Sequence, residues 1–262
     1  MSRIASCMQE LKAANRKALV PYIVAGDPDY ATTLATLHAL VQAGADVLEI
    51  GVPFSDPMAE GPVIQKGHER ALASGMSLKK VLELVREFRS SDSKTPVVLM
   101  GYANPVERMG YAAFADAAAA AGVDGLLTVD MPPEEAAGLN AELKRVGIDN
   151  IFLLAPTTTD VRAQQICQMA TGYLYYVSLK GVTGAGHLDT TEVRAKLAQF
   201  RSYTGLPLCV GFGIKDAASA RAVAETADGV VVGSVLVDAM ARDGKAATPA
   251  VAAVIADIRA AI

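Results

Sequence analysis

The chain has 262 residues, 52% of them hydrophobic and 20% charged, with a net charge of -4 at neutral pH. That apolar fraction can bury a sizeable core and is too high for disorder, and the length suits one α/β barrel domain running over residues 1–262. An acidic balance with no basic stripe argues against a nucleic-acid partner, and no run approaches the roughly 18 apolar residues that span a bilayer. Neither nucleic acid nor membrane is expected, and the expected location is cytoplasmic.

The opening stretch MSRIASCMQELKAANRKAL lacks the apolar core of a signal peptide. Ile4, Cys7, Met8 and Leu11 follow helical spacing instead and predict a short amphipathic helix that belongs to the fold. Eight β-rich runs follow: LVPYIVA (19–25), DVLEIGV (46–52), PVVLMGY (96–102), GLLTVD (125–130), NIFLLA (150–155), YLYYVS (173–178), LPLCVGF (206–212) and GVVVG (229–233). The segments between them, such as DYATTLATLHALVQAGA and KDAASARAVAETA, repeat apolar residues every three or four positions.

Strand and helix in regular alternation imply a parallel sheet, because parallel strands need crossovers. Nearly continuous apolar strands imply a sheet covered on both faces. Eight such units fit a (β/α)8 TIM barrel with an extra N-terminal helix. An open doubly wound sheet is the alternative, but AGDPDY stands where its G-x-G-x-x-G would follow the first strand.

One residue contradicts its surroundings. Glu49 lies in the second strand between Leu48 and Ile50. An unpaired carboxylate inside a dry barrel costs several kcal/mol, so it is paired, hydrated or protonated with a raised pKa. A raised pKa suits proton exchange near neutrality, and a structural ion pair is the plainer reading. The loop behind it, GVPFSDPMAEGP, adds Asp56 and Glu60. Acids in Pro- and Gly-rich loops commonly stay solvated or cap helices, and Pro62 marks the first turn of the next helix.

Cys7, Cys167 and Cys209 are scattered and read as free thiols, while His38, His68 and His187 show no metal-ligand spacing and read as structural or surface groups. No metal is expected. At the far end, SLKGVTGAGHLD, GFGIKDAASA and GVVVGSVLV place glycine after strands six, seven and eight. Backbone amides at helix N-termini hold phosphate, the last two loops are the usual phosphate site of this fold, and the first is long enough to form a lid. A carboxylate on one side and a phosphate cradle on the other predict proton transfer on a phosphorylated, sugar-like small molecule.

LEIGVPFSDPMAEGPVIQ resembles the signature of the tryptophan synthase alpha chain family, whose usual form is close to LEIGxPFSDPxADGPxIQ. The likeness extends through PYIVAGDPD, MGYANPV, GLLTVDMPPEE, LLAPTTT, YYVSLKGVTGAG, VGFGIKD and ADGVVVGSVLV, in order along nearly the whole chain. The resemblance implies retro-aldol cleavage of indole-3-glycerol phosphate to indole and glyceraldehyde 3-phosphate. It also implies a chain without cofactor or metal, and a partner beta chain that carries pyridoxal phosphate in an alpha-beta-beta-alpha assembly with an indole tunnel.

Carried over position by position, it implies Glu49 as the general acid and base and Glu60 as the second catalytic acid, facing charge on the indole nitrogen. Tyr175 would stand beside the Glu49 carboxylate, with Tyr22, Ile64, Met100, Tyr102 and Phe212 as walls and Thr183 as the lid residue that reaches the catalytic acid. Gly184, Gly213, Gly233 and Ser234 would cradle the phosphate. The Asp56–Pro57 loop and NPVERMG would face the beta chain.

One position departs from the family pattern: Glu60 stands where Asp is usual. The extra methylene moves the carboxylate by roughly 1 Å or more, and misplacement on that scale costs on the order of 100-fold in rate unless a mobile loop absorbs it. Four readings stay open: an active alpha subunit with a repositioned second acid, a binding-only partner that stimulates a beta chain, a freestanding indole-releasing lyase, and a barrel acting on another sugar phosphate. Lys180 and His187 read as surface groups of the lid. Tyr173 and Tyr175 share a strand face, and Tyr176, opposite them, is expected to pack under a helix.

Overall fold

Eight short strands close on themselves in chain order, all neighbours parallel. They are β1 Ala18–Val24, β2 Leu48–Gly51, β3 Val97–Gly101, β4 Gly125–Thr128, β5 Asp149–Leu154, β6 Leu174–Val177, β7 Leu208–Gly211 and β8 Gly229–Val232. The computed structural model describes residues 2–177, 190–211 and 213–262. Lys180, Thr183, Gly184, His187 and Phe212 lie outside the described residues.

The helices around this barrel are α1 Arg3–Ala13, α2 Tyr30–Gln42, α3 Pro62–Ala73, α4 Leu78–Arg89, α5 Ala103–Met109, α6 Tyr111–Ala121, α7 Ala137–Val146, α8 Asp160–Met169, α9 Thr190–Arg201, α10 Ala217–Ala224, α11 Ser234–Asp243 and α12 Thr248–Arg259. The barrel expected from strand and helix alternation is the one observed, with a helix ahead of β1. Most of the strands are shorter than the apolar runs that announced them, since those runs continue into the loops at the barrel rims. GLLTVD, for example, contributes Gly125–Thr128 to the sheet.

Alternation along each strand produces two cores. Leu48, Ile50, Leu99, Leu126 and Leu174 face outward and pack under the helices. Ala18, Val20, Val47, Val98, Leu127, Ile151, Tyr173, Tyr175, Cys209 and Val231 face inward and meet Ile4, Met8 and Leu11 of α1. The N-terminal helix therefore closes the amino-terminal mouth of the barrel with the apolar stripe its spacing predicted. Charged residues lock it in place: Arg3 Nη1 lies 2.7 Å from Asp124 Oδ1, and Arg89 Nη2 lies 2.6 Å from the other oxygen of the same carboxylate.

With that end sealed, the carboxyl ends of the strands form the open mouth, where this fold keeps its reactive groups. Register brings Tyr22 of β1 opposite Glu49 of β2 and Gly51 of β2 opposite Met100 of β3. Tyr176 points outward, 1% exposed, and its ring tilts against Phe200 of α9 at 5.8 Å, as expected. No helix among the described residues is long and apolar enough to cross a membrane.

Candidate active site

Strand alternation that sends Leu48 and Ile50 to the helices sends Glu49 into the barrel, where it is 1% exposed. The Tyr173 hydroxyl donates to Glu49 Oε1 at 3.3 Å. Glu49 Oε2 is buried with no hydrogen-bond partner. Burial pushes the carboxyl up to about 8; the Tyr173 hydrogen bond opposes this, and the neighbouring Glu60 carboxylate adds to it. Glu49 thus holds its proton at neutral pH and can release it to a modest base. Burial also raises the hydroxyls of Tyr22, Tyr173 and Tyr175 well above the ordinary tyrosine value, with nearby carboxylates acting in the same direction, so all three remain donors.

Above Glu49 opens a cavity of about 230 Å³. Tyr22, Glu49, Ile64, Met100 and Tyr175 line one side, and Gly213, Gly233 and Ser234 line the other. The space depends on two strand glycines: a Cβ at Gly51 would strike the Tyr22 hydroxyl, and one at Gly211 the Tyr175 hydroxyl. Among the described residues the lining contains one carboxylate and no Lys or Arg.

Of the two glycine-marked helix starts, only one is open. The first turn of α10 is closed by a capping box, in which Asp216 accepts from the Ser219 amide and Ser219 returns a bond to the Asp216 backbone. By contrast, α11 begins at Ser234 behind Gly233 with no side-chain cap. The Ser234 and Val235 amides have no hydrogen-bond partner among the described residues, and they form the positive end of the helix dipole, which suits an anion.

Glu60 and Tyr102, expected in the catalytic set and the pocket wall, stand just behind that wall and do not line the cavity. Tyr102 is 2% exposed; its ring stacks on Phe54 at 4.9 Å, and its hydroxyl accepts from the Ala59 amide at 3.1 Å. The Glu60 side chain is 4% exposed, with Oε2 at 2.7 Å from His68 Nε2. Neither Glu60 oxygen receives an aligned hydrogen bond.

The loop that presents Glu60 differs from the mobile one expected. Val52 N bonds Met100 O at 2.8 Å, Phe54 N bonds His68 Nδ1 at 3.0 Å, and the Gln65 amide nitrogen bonds Glu60 O at 2.8 Å. These bonds and the Tyr102 clamp tie it to β3 and α3. Pro62 opens α3 as its sequence position predicted. Asp56 bonds its neighbour Ser55 at the exposed tip of the loop.

Two residues of this centre escaped the sequence reading. Tyr173 was legible only as sharing a face with Tyr175. His68 gave no signal beyond its type, because its neighbours across the loop are set by the turn between β2 and α3. Among the described residues no group of three or more His, Cys, Asp or Glu side chains is placed to hold a metal ion.

The sequence profile of the family described as Tryptophan synthase alpha chain matches residues 8–261. A tryptophan synthase alpha chain from Methylococcus capsulatus is 61% identical over 241 residues, covering 92% of this chain and 90% of that one. This chain belongs to the tryptophan synthase alpha chain family. Another alpha chain of the family, from Dechloromonas aromatica, is 58% identical over 260 residues, covering 99% and 97% of the two chains. The crystal structure of tryptophan synthase subunit alpha from Legionella pneumophila superposes with a TM-score of 0.93 at 47% identity, covering 100% of this chain and 98% of that one.

Similarity extends to a chain of the tryptophan synthase complex from Pyrococcus furiosus, with a TM-score of 0.84, 38% identity and 92% and 97% of the two chains covered. Membership makes this chain the lyase subunit of tryptophan biosynthesis, which cleaves indole-3-glycerol phosphate to indole and glyceraldehyde 3-phosphate. The tryptophan synthase alpha fold is thus paired here with a site in which burial, two acids and an open helix terminus converge.

Proposed function

We propose that Glu49 carries the proton traffic of the retro-aldol cleavage, that Glu60 supplies the counter-charge, and that the α11 terminus with Gly213, Gly233 and Ser234 holds the substrate phosphate. One observation carries this reading. Of the four buried side-chain polar atoms without a partner among the described residues, three are Glu49 Oε2 and both oxygens of Glu60. Orphaned buried acceptors are rare because each costs about 1–3 kcal/mol, and here Glu49 Oε2 belongs to the cavity lining while the two Glu60 oxygens lie behind its wall.

The chemistry follows from the protonation state. With its pKa near 8, Glu49 enters as an acid and delivers the proton on Oε2 to C3 of the indole. Positive charge then appears on the ring nitrogen. The Glu60 carboxylate, behind the wall in a dry surround, stabilises it over a distance at which water would have screened the interaction. Glu49, now a carboxylate, removes the proton from the hydroxyl on the adjacent side-chain carbon. The carbon–carbon bond breaks, its electrons return to the indole ring, and the side chain leaves as the aldehyde. One proton enters and one leaves, so Glu49 ends as it began.

Among the described residues no Lys or Arg lines the cavity, and phosphate binding there rests on the amides and dipole of the α11 start, which carries no side-chain cap. Tyr22, Ile64, Met100 and Tyr175 form the apolar wall for the ring, and Thr183, Gly184 and Phe212 complete the lid, cradle and wall in the same proposal. The chain acts as one barrel domain in the cytoplasm, needs no cofactor of its own, and passes indole to a beta chain bearing pyridoxal phosphate in an alpha-beta-beta-alpha tetramer.

The test is indole release from indole-3-glycerol phosphate by the wild type and by Glu49→Gln, with and without a beta chain. Expected are wild-type turnover that the beta chain raises and its loss in Glu49→Gln. Stimulation of the beta reaction with no indole release by the wild type would favour a binding-only role and overturn the proposal.

A further inference from the structure

His68 is fully buried, and the roles of its two ring nitrogens are fixed by what surrounds them. The Phe54 amide hydrogen can be received only by an unprotonated Nδ1. The ring proton therefore sits on Nε2, which pairs with the Tyr22 hydroxyl at 3.4 Å and lies 2.7 Å from Glu60 Oε2 in close contact without an aligned hydrogen bond.

The ring has little freedom to move. On one side of it in α3, a Cβ at Gly67 would lie only 2.9 Å from Val237 and 3.2 Å from Val24, so the helix is packed tightly onto β1 and α11. On the other side, Arg70 forks onto the buried Asp27 carboxylate with two bonds of 2.8 Å. The histidine is a rigid donor, and the acid it meets is the one position of the motif where the chain departs from the family pattern.

We infer that His68 is the positioning residue for the Glu60 carboxylate, so that the second acid of this site is a Glu–His pair in which the imidazole takes up the extra methylene. The inference rests on the proposed role of Glu60. Without a fixed partner, a glutamate at the end of a loop would spread its charge over several rotamers. With His68 on one side, the carboxylate is held behind Tyr22, a wall of the cavity. A shorter acid would retreat from Nε2 and lose this close contact, so that its carboxylate would no longer be fixed by the imidazole. Glu60→Asp, although it restores the family's usual residue, is therefore expected to impair this enzyme.

The experiment is a double-mutant cycle on the alpha chain with a beta chain present, measuring kcat and KM for indole release. Its variants are His68→Leu, His68→Gln, Glu60→Asp, Glu60→Gln and the double change Glu60→Asp with His68→Leu. His68→Leu and Glu60→Asp are each expected to lower kcat by roughly 10- to 100-fold with KM changed less than about threefold. The double variant should be no worse than either single one, and His68→Gln, which keeps an N–H near the Nε2 position, should recover part of the loss.

Nitrogen NMR of the wild-type imidazole should show the proton on Nε2 and a shift of that signal in Glu60→Gln. This readout holds even if His68→Leu fails to fold. Losses that multiply in the double variant, an unchanged kcat in His68→Leu, or a proton found on Nδ1 would each overturn the inference while leaving the role of Glu60 intact. Full activity in Glu60→Gln would remove the role of Glu60 itself and the pair with it.

Discussion

The Tyr173 hydroxyl, 124 residues along the chain from Glu49, donates to Glu49 Oε1 and leaves Oε2 free. The barrel brings β6 across to β2, and the two inward side chains meet over the plug formed by α1. That single bond lowers the carboxyl pKa against the larger upward push from burial.

Tyr173→Phe should therefore raise the Glu49 pKa further. The limb of the kcat/KM profile that reports this group should move to higher pH by up to about one unit, with a modest fall in kcat at neutrality. A pH-rate series on both proteins checks it, and a limb that moves to lower pH contradicts the assigned bond.

Glu49→Gln separates stability from activity. The folded-state pKa of Glu49, about 8, lies above its ordinary value of 4.5. Between those values the folded chain binds a proton the unfolded chain has released, so stability falls as pH rises through that window and is fully reduced above it. A neutral amide escapes this loss. Urea unfolding should show Glu49→Gln gaining on the wild type by on the order of a few kcal/mol between pH 5 and pH 9, while indole release is lost at every pH.

Gly211→Ala places a methyl group where the Tyr175 hydroxyl lies. The ring must swing into the cavity, at about 1–3 kcal/mol of overpacking. The expected result is a raised KM and a fall in kcat/KM of roughly 10-fold or more, with the barrel still folded by circular dichroism.

Ser234→Asp sets helix stability against ligand binding. A carboxylate in the first turn of α11 favours the helix by about 0.3–1 kcal/mol. The same charge repels a phosphate from the same amides. A slightly higher Tm together with a KM raised roughly 10-fold would place the phosphate there, and an unchanged KM would place it elsewhere.

Much of this molecule was fixed before any folding was considered. Eight apolar runs separated by amphipathic segments allow few solutions other than a closed parallel barrel, because each strand needs a crossover and both sheet faces must be covered. Glu49 declared itself for the same reason: an acid between Leu48 and Ile50 conflicts with its neighbours unless it has work in the interior. Gly233 and Ser234 could be read from a glycine that opens a helix at a strand end, and α1 from its apolar spacing.

The tertiary structure alone decided the rest. The capped start of α10 is a local pairing of Asp216 with Ser219, but local sequence does not distinguish Tyr173 from Tyr175 as the partner of Glu49. That choice depends on where distant strands meet. The meeting of Glu60 with His68 is of the same kind. The two lie eight positions apart across a loop and a helix start, and only the clamps from Phe54, Ala59 and Gln65 bring them to 2.7 Å. Periodicity reports which face a side chain takes, whereas the partner it finds there is set by closure of the barrel and by loops whose path is held by long-range bonds.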